Sequence, residues 1–216
     1  MTDTISHHIP DAVMAAYVAG NLPKAFSLVV ATHVSMCDDC RANLHAHEAA
    51  GGAVLDSMAE APLSGDLRAQ IMGRLDDAID LDREEDETPV RDGIYPGPVM
   101  AALKGKKPKW KRLGGGVRQC IVDMDREGSA RLLHIPAGKP VPEHTHGGLE
   151  LTLVLQGGFS DATGHFDVGD VEVANDDLEH VPVADEGVDC ICLAATDAPL
   201  RFSAFVPRIL QPLFAI

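Results

Sequence analysis

A short run at residues 33–40 constrains this chain more than any other feature. In His33-Val-Ser-Met-Cys37-Asp-Asp-Cys40, three side chains that can bind a soft metal ion lie close together in sequence. If residues 25–36 form a helix, His33 and Cys37 lie four residues apart on one face of its last turn. Cys40 follows at the Cys-x2-Cys spacing that is common in zinc sites. The spacing therefore predicts a zinc centre at the end of this helix.

A fourth ligand must come from elsewhere, and the N-terminal Ser6-His7-His8 offers two imidazoles. A bundle that returns its first helix against its second would bring one of them back to the thiolates, and we expect His8 rather than His7 to bind. The alternative is a pair of buried reduced thiols or a redox Cys-x2-Cys motif. The redox motif usually belongs to a βαβ context, which this helical neighbourhood lacks.

An upstream His followed by His-x3-Cys-x2-Cys resembles the zinc-containing anti-sigma factors over residues 1–85. The resemblance implies a bundle of three helices and a detached fourth helix. Together these elements would grip a sigma factor of the extracytoplasmic-function (ECF) type.

Residue patterns predict the first three helices directly. A first helix should span residues 10–19, with a proline in its first turn and a glycine after its end. Pro23 should begin a second helix that ends near Cys37. Asp38 or Asp39 can cap a third helix that runs to about Met58.

Ser64 can cap a fourth helix after the breaker Ala61-Pro62. Its apolar residues recur every fourth position and form one stripe: Leu67, Ile71, Leu75 and Ile79. Such an amphipathic helix either lies in a partner's groove or completes the bundle. The resemblance to the zinc-containing anti-sigma factors favours partner binding through this stripe.

The chain is acidic, with a net charge of −15 that is concentrated in its first part. Residues 1–90 hold 5 Lys and Arg against 16 Asp and Glu, a charge of −11. Such a surface repels nucleic acid and suits a basic protein partner, although it could also serve solubility alone. The basic run at 104–112 fits a solvated first hairpin better than a nucleic-acid patch. We therefore expect no direct nucleic-acid binding.

An acidic and then Pro- and Gly-rich stretch predicts a linker at 86–103, between an anti-sigma domain at 1–85 and a domain with a C-terminal tail at 104–216. With 216 residues the chain can bury two modest cores. Five cysteines, an odd number, argue against a disulfide framework and for a reducing compartment. No export signal and no apolar run of roughly 18 residues is present. We therefore expect a cytoplasmic protein without membrane contact.

From Lys111 onward the pattern indicates strands separated by turns, at 119–123, 130–135, 150–156, 158–163, 170–174 and 188–193. This array contains Gly138-x5-His144-x-His146-x3-Glu150-x6-Gly157 and, downstream, His180. Two histidines at i and i+2 on a strand share one face, and Glu150 and His180 can join them from other strands. The expected ligand set is His144, His146, Glu150 and His180, holding Zn²⁺ or another divalent transition metal.

This spacing resembles the first motif of the cupins, which are small jelly-roll β-barrels. The second cupin motif is degraded. If His180 is aligned with it, Gly169 matches, but Asn175, Asp177 and Ala184 depart from the usual proline, glycine and asparagine. His180 is still expected as a ligand, whereas the turn before it is in doubt.

A zinc-type anti-sigma domain followed by a cupin resembles the ChrR-type anti-sigma factors. The implied fold is α+β with two domains, a zinc-bound helical bundle and a cupin barrel. The implied function is cytoplasmic sequestration of an ECF sigma factor in a 1:1 complex, with release when the cupin senses singlet oxygen or related oxidants. Cys190 and Cys192, on one face of a late strand, are either part of that response or small core residues.

The alternative is a cupin-type metal-dependent enzyme, a dioxygenase or isomerase, with an accessory helical domain. Such an enzyme would need an open coordination position and an acid or base in reach, and Glu143 or Glu172 could serve. A zinc domain of the anti-sigma type would be superfluous to it. We therefore expect a regulatory protein rather than an enzyme.

Overall fold

The computed structural model describes residues 4–75, 90–141, 144–145, 147–175, 179–198 and 201–202. Five helices lie in these ranges: α1 (Asp11–Val18), α2 (Lys24–Val34), α3 (Asp38–Asp56), α4 (Leu67–Gly73) and α5 (Gly97–Ala102). No helix among these residues is long and apolar enough to cross a membrane.

The first three helices are found where the sequence predicted them. Helices α1 and α2 begin directly after Pro10 and Pro23, whose fixed φ suits the residue before a first helical turn. The N-cap of α3 is Cys37 rather than the predicted Asp38 or Asp39. The Cys37 backbone is extended, and its sulfur accepts a hydrogen bond from the amide of Cys40. Both aspartates instead occupy the first turn, where their negative charge interacts favourably with the positive end of the helix dipole.

Helix α4 begins after Asp66 rather than after Ser64, and it ends at Gly73. The predicted helix is therefore shorter within the described residues. Residues 76–89, which include Ile79, lie outside the described residues. In the rest of the predicted stripe, Leu67 is half-buried, while Ile71 and Leu75 are exposed.

Twelve strands lie in the described residues: β1 (Lys111–Gly114), β2 (Val117–Met124), β3 (Ser129–Ile135), β4 (His144–Thr145), β5 (Glu150–Gln156), β6 (Phe159–Ser160), β7 (His165–Phe166), β8 (Val171–Ala174), β9 (Glu179–His180), β10 (Val183–Ala184), β11 (Cys190–Thr196) and β12 (Arg201–Phe202). They form a six-stranded sheet in the order β1-β2-β3-β11-β5-β8 and two three-stranded sheets, β10-β6-β7 and β12-β4-β9. The paired strands run antiparallel. Closure into a jelly-roll barrel stays a prediction.

Helix α2 packs against both the neighbouring helices and the large sheet. Its buried residues cover most of its circumference: Ala25, Phe26, Val29, Val30, Thr32, His33 and Val34. It contacts α1, α3 and α5 and also strands β3, β5 and β11. One continuous hydrophobic cluster therefore joins the N-terminal helices to the sheet. A helix that is apolar on nearly every side must be covered on nearly every side.

Part of the predicted linker at 86–103 is helical. Helix α5 begins after Pro96 and has Pro98 in its first turn, where a missing amide hydrogen does no harm. Val99 and Met100 are buried, and α5 contacts α2 and β2. The Pro- and Gly-rich composition predicts a linker, but in this sequence Pro96, Gly97 and Pro98 begin a helix. The limits of the two domains stay a prediction.

Candidate functional site

Four potential metal ligands meet at the junction of the N-terminal helices. His8 lies in the extended segment before α1, His33 in the last turn of α2, Cys37 at the N-cap of α3 and Cys40 in its first turn. One ligand atom from each residue lies within 4.8 Å of the others. The predicted residues are thus brought together by three elements that meet at one point.

The distances within this cluster fit a tetrahedral metal ion. The Nδ1 atom of His8 lies 3.4 Å from the sulfur of Cys37 and 3.6 Å from that of Cys40. A tetrahedral zinc ion with ordinary bond lengths separates nitrogen and sulfur ligands by about 3.5 Å. Within the described part of the chain, Nε2 of His33 is buried without a hydrogen-bond partner. Such an atom is costly unless something binds it, and a metal ion would.

The tautomer of His33 follows from its partner. Its Nδ1 atom lies 2.8 Å from the carbonyl oxygen of Gly169, which can only accept, so Nδ1 carries the hydrogen. Burial lowers the pKa of His33 to about 4, although the Gly169 carbonyl acts in the opposite direction. The imidazole is therefore neutral at pH 7 and presents the Nε2 lone pair that a metal requires.

Burial keeps the Cys40 thiol of the cluster protonated at neutral pH unless a cation binds it. Burial raises the pKa of Cys40 to about 11, and neighbouring Cys37 and Asp39 act in the same direction. A bound cation reverses this, since a coordinating thiol is deprotonated outright. Without an ion, Cys40 would be an unreactive buried thiol.

His7, the alternative fourth ligand, is bound to the sheet instead. Its amide donates to Oδ1 of Asp170 at 2.9 Å, and its carbonyl accepts from the amide of Val171 at 3.2 Å. Its ring stacks at a tilt against Phe166, with centroids 4.5 Å apart. The structure thus places His8 with the thiols and His7 against strand β8.

The structure places only part of the predicted cupin ligand set. The backbones of His144 and His180 lie opposite each other in the β4–β9 pair. Glu150 begins β5 and is buried, and it accepts a hydrogen bond from the hydroxyl of Thr152 at 2.9 Å. His146 lies outside the described residues, as does Glu143. Coordination by these four side chains stays a prediction.

His180 has two carboxylate partners, Asp161 and Glu172. Its Nδ1 atom lies 2.6 Å from Oδ2 of Asp161 and 3.2 Å from Oε1 of Glu172, and all three side chains are almost fully buried. These three residues form a second cluster that could hold a cation. Asp161 lacked any spacing signal, and Glu172 was considered only as an acid or base.

Charge balance in this trio is unusual. Burial would lower the pKa of His180, but hydrogen bonds to Glu172 and Asp161 outweigh it and raise the pKa to about 9. Burial raises the pKa of Glu172 to about 7. Burial alone would raise the pKa of Asp161, but hydrogen bonds from its neighbours hold it well below the usual range. Without a metal ion, His180 is therefore protonated at pH 7 and pairs with ionised Asp161.

Cys190 and Cys192 are both fully buried in β11. Their thiols contact each other, and this contact together with burial and the nearby Glu150 and Glu172 raises the pKa of Cys192 far above its usual value. Cys192 therefore lies near the predicted cupin ligands, and it is also a core residue. Both interpretations of the pair stay open.

A His/Cys metal cluster among N-terminal helices that pack on an antiparallel sheet is the arrangement expected for the zinc-type class of anti-sigma factors. A family model described as the ChrR Cupin-like domain matches residues 99–199. The chain is 51% identical over 218 residues to Anti-sigma-E factor ChrR of Cereibacter sphaeroides, covering 99% of this chain and 100% of that protein. It also resembles the crystal structure of Rhodobacter sphaeroides SigE in complex with the anti-sigma ChrR. That match has a TM-score of 0.77 and 48% identity, and it covers 90% of this chain and 100% of that chain.

Identity of this extent shows that the chain belongs to the ChrR family of anti-sigma factors. The resemblance inferred from the two metal motifs is thereby confirmed. Family membership also favours a regulatory protein over the alternative of a cupin enzyme.

Proposed function

We propose that this protein is an anti-sigma factor that binds an ECF-type sigma factor in a 1:1 complex and blocks its access to RNA polymerase and promoter DNA. The main support is a long exposed segment: every residue from Glu48 to Asp66 is exposed. Helix α3 has 19 residues, of which only Cys40 is buried, and α4 has none. A helix of that length with little buried surface suits docking against another protein.

The proposed partner surface is an apolar strip that runs from the end of α3, along the connection, to α4 and the turn after it. Its members are large apolar side chains exposed over more than half of their surface: Val54, Leu55, Met58, Leu63, Ile71, Met72 and Leu75. Leu67 and Ile79 complete the stripe predicted from sequence. An exposed patch of this kind commonly marks a protein interface. The charge of −11 on residues 1–90 suits the basic, DNA-binding surface of a sigma factor.

Zn²⁺ is the proposed ion for His8, His33, Cys37 and Cys40. The Cys2His2 donor set, the nitrogen–sulfur distances and the orphaned Nε2 of His33 support it. The ion would join the segment before α1 to the α2–α3 junction, and so hold the first three helices as a bundle with α4 detached.

The cupin-like domain is proposed to hold a second ion, Zn²⁺ or another divalent transition metal, at His144, His146, Glu150 and His180. Release of the sigma factor in response to singlet oxygen or related oxidants is proposed to require this site. Action on a sigma factor places the protein in the cytoplasm, without direct contact with nucleic acid or membrane.

Co-expression with the host sigma factor most similar to SigE tests the proposal. A 1:1 complex by size-exclusion chromatography with light scattering, and loss of sigma-dependent transcription in vitro on adding the protein, are expected. Full transcription at saturating protein, with no complex on the column, would refute the proposed function.

A further inference from the structure

The turn between β7 and β8 lies far from the N-terminal helices in sequence, yet it contacts their metal cluster. The carbonyl oxygen of Gly169 accepts a hydrogen bond from Nδ1 of His33 at 2.8 Å. Oδ1 of Asp170 accepts from the amides of Ser6 at 2.7 Å and His7 at 2.9 Å. The Val171 amide donates to the His7 carbonyl at 3.2 Å. Gly169 and Asp170, two successive residues of the cupin-like domain, thus contact the two segments that carry the histidines of the cluster. These segments are the end of α2 and the stretch before α1.

We propose that Gly169 and Asp170 are positioning residues of the N-terminal metal centre, so that the cupin-like domain supplies the outer shell of a site whose ligands lie entirely in the anti-sigma part. This inference rests on the metal site proposed above.

Gly169 acts through the tautomer of His33. Its carbonyl requires the hydrogen on Nδ1, which leaves Nε2 unprotonated. In the described residues, Nε2 is buried and has no hydrogen-bond partner. Metal-binding histidines ordinarily donate their second ring hydrogen to a carbonyl or carboxylate, and this bond sets ring orientation and basicity. In this protein the acceptor comes from 136 residues further along the chain.

Asp170 acts on the backbone that carries His8. It is almost fully buried, and the two amides that it binds belong to the residues directly before His8. Its second oxygen, Oδ2, accepts from the amide of Asp167 at 2.9 Å, which closes the turn. The carboxylate therefore ties the extended N-terminal segment to a turn whose own shape it helps to set.

The fit of the N-terminal segment also explains the glycine. Gly169 has φ +96°, a conformation that residues with a side chain rarely adopt. A Cβ atom built there would lie 2.6 Å from two side-chain carbons of Ile5. A side chain at position 169 would collide with Ile5 and so disturb the contact between the Gly169 carbonyl and His33.

Linkage follows from these contacts. If docking of the turn stabilises the metal-bound cluster, then metal binding stabilises docking by the same free energy. Glu172 lies two residues after Asp170 and contacts His180. The strand therefore joins the proposed outer shell of one metal centre to a predicted ligand of the other.

Cobalt binding to the full-length protein tests the proposal, because thiolate-to-Co²⁺ charge-transfer absorption reports the site of Cys37 and Cys40 and not one held by histidines and carboxylates alone. Asp170→Ala is expected to weaken Co²⁺ binding at that site by about 10- to 100-fold, the usual effect of removing an outer-shell partner. Asp167→Ala is the matched control. It lies on the same turn, and its half-exposed carboxylate contacts His165 instead.

Gly169→Ala provides an independent variant. It should also weaken Co²⁺ binding, and adding Ile5→Ala should restore part of the affinity by removing the collision. In the metal-bound parent protein, nitrogen-15 NMR should show hydrogen on Nδ1 of His33. Parent-like Co²⁺ affinity in both Asp170→Ala and Gly169→Ala would overturn the inference alone. A parent protein without thiolate–Co²⁺ bands would overturn the proposed metal centre as well. The proposed function is tested independently, by formation of the sigma complex.

Discussion

The Nδ1 atom of His33 lies 2.8 Å from the carbonyl oxygen of Gly169, so a residue of the proposed zinc centre is hydrogen-bonded to the cupin-like domain. The two parts of the chain also share one hydrophobic cluster around α2. An ion pair between Lys24 and Asp123, with a nitrogen–oxygen distance of 3.0 Å, adds a contact at the surface. In the described residues, the two parts of the chain are therefore joined by these contacts as well as by the connecting segment.

Loss of a thiolate should unfold the N-terminal helices. Structural zinc contributes on the order of 10 kcal/mol to folding of small domains, and helices α1 and α3 have few other buried residues. We expect Cys40→Ala to lose one equivalent of metal together with part of its helical circular dichroism and its sigma binding. Cys120→Ala, a buried cysteine outside the cluster, is the control. A zinc-free Cys40→Ala protein that still binds at full strength would argue against a structural role.

Charges placed at Ile71 on α4 and at Leu75 in the turn after it should weaken the sigma complex without affecting folding. Ile71 and Leu75 are exposed and contribute little to the core, so Ile71→Asp and Leu75→Asp should change the free energy of unfolding by less than about 0.5 kcal/mol. Each should weaken sigma binding by about tenfold or more, as for central interface residues. Val188→Asp, an exposed apolar position between β10 and β11, is the matched control. Equal affinities for all three variants would remove α4 from the interface.

The fragment 1–85 should bind the sigma factor by itself, because the proposed zinc centre and partner surface both lie within it. It should nevertheless unfold at a lower temperature than the intact chain, since the side of α2 that contacts β3, β5 and β11 would be exposed. Calorimetry of binding and thermal melts of both proteins measure the two effects. Tight binding by the intact chain with none by the fragment would contradict the assignment.

Substitution of a cupin ligand should alter release rather than binding. His144→Ala, His146→Ala, Glu150→Ala and His180→Ala should leave the sigma factor bound, because residues 48–66 are exposed and are not buried against the sheet. They should blunt induction by singlet oxygen, measured as transcription from a sigma-dependent promoter with and without a photosensitiser. Normal induction in all four variants would leave the cupin metal without a role in the response.

Asp170 should make docking of the N-terminal segment sensitive to acid. Burial would raise its pKa, but the amides of Asp167, His7 and Ser6 outweigh burial and hold the pKa below its ordinary value of 3.8. The rings of His7 and His33, and that of His165, add positive charge nearby when protonated. A lowered carboxyl pKa contributes stability that is fully present above the ordinary value and is lost as the pH falls through the lower, folded-state value.

The measurement is the free energy of unfolding against pH at saturating Zn²⁺, compared with Asp170→Asn under the same conditions. The parent protein should be the more stable near pH 7, and the difference should shrink below about pH 4, where the carboxylate begins to be protonated. A difference that stays constant down to pH 2 would show that the charge of Asp170 does not stabilise the docked segment.

Local patterns along the sequence determined much of this protein. The four-residue step from His33 to Cys37 and the step to Cys40 depend only on a helix end and the next helix start, so the cluster could be predicted. Strand β5 spans 150–156 as predicted, because a run of apolar residues bounded by turns has few alternatives. Family membership was recognisable from the order of the two metal motifs.

Only the tertiary structure decided which distant groups meet. Nothing in the spacing of Asp161 connects it with His180, and nothing near Gly169 connects it with His33, because a hydrogen bond across the fold depends on strand register and docking rather than on periodicity. The same reason applies to α2: its apolar surface on nearly all sides required cover, but only packing decided that β3, β5 and β11 would provide it. Helix α5 was hidden because Pro and Gly end helices in most contexts, and burial of Val99 and Met100 made the difference here.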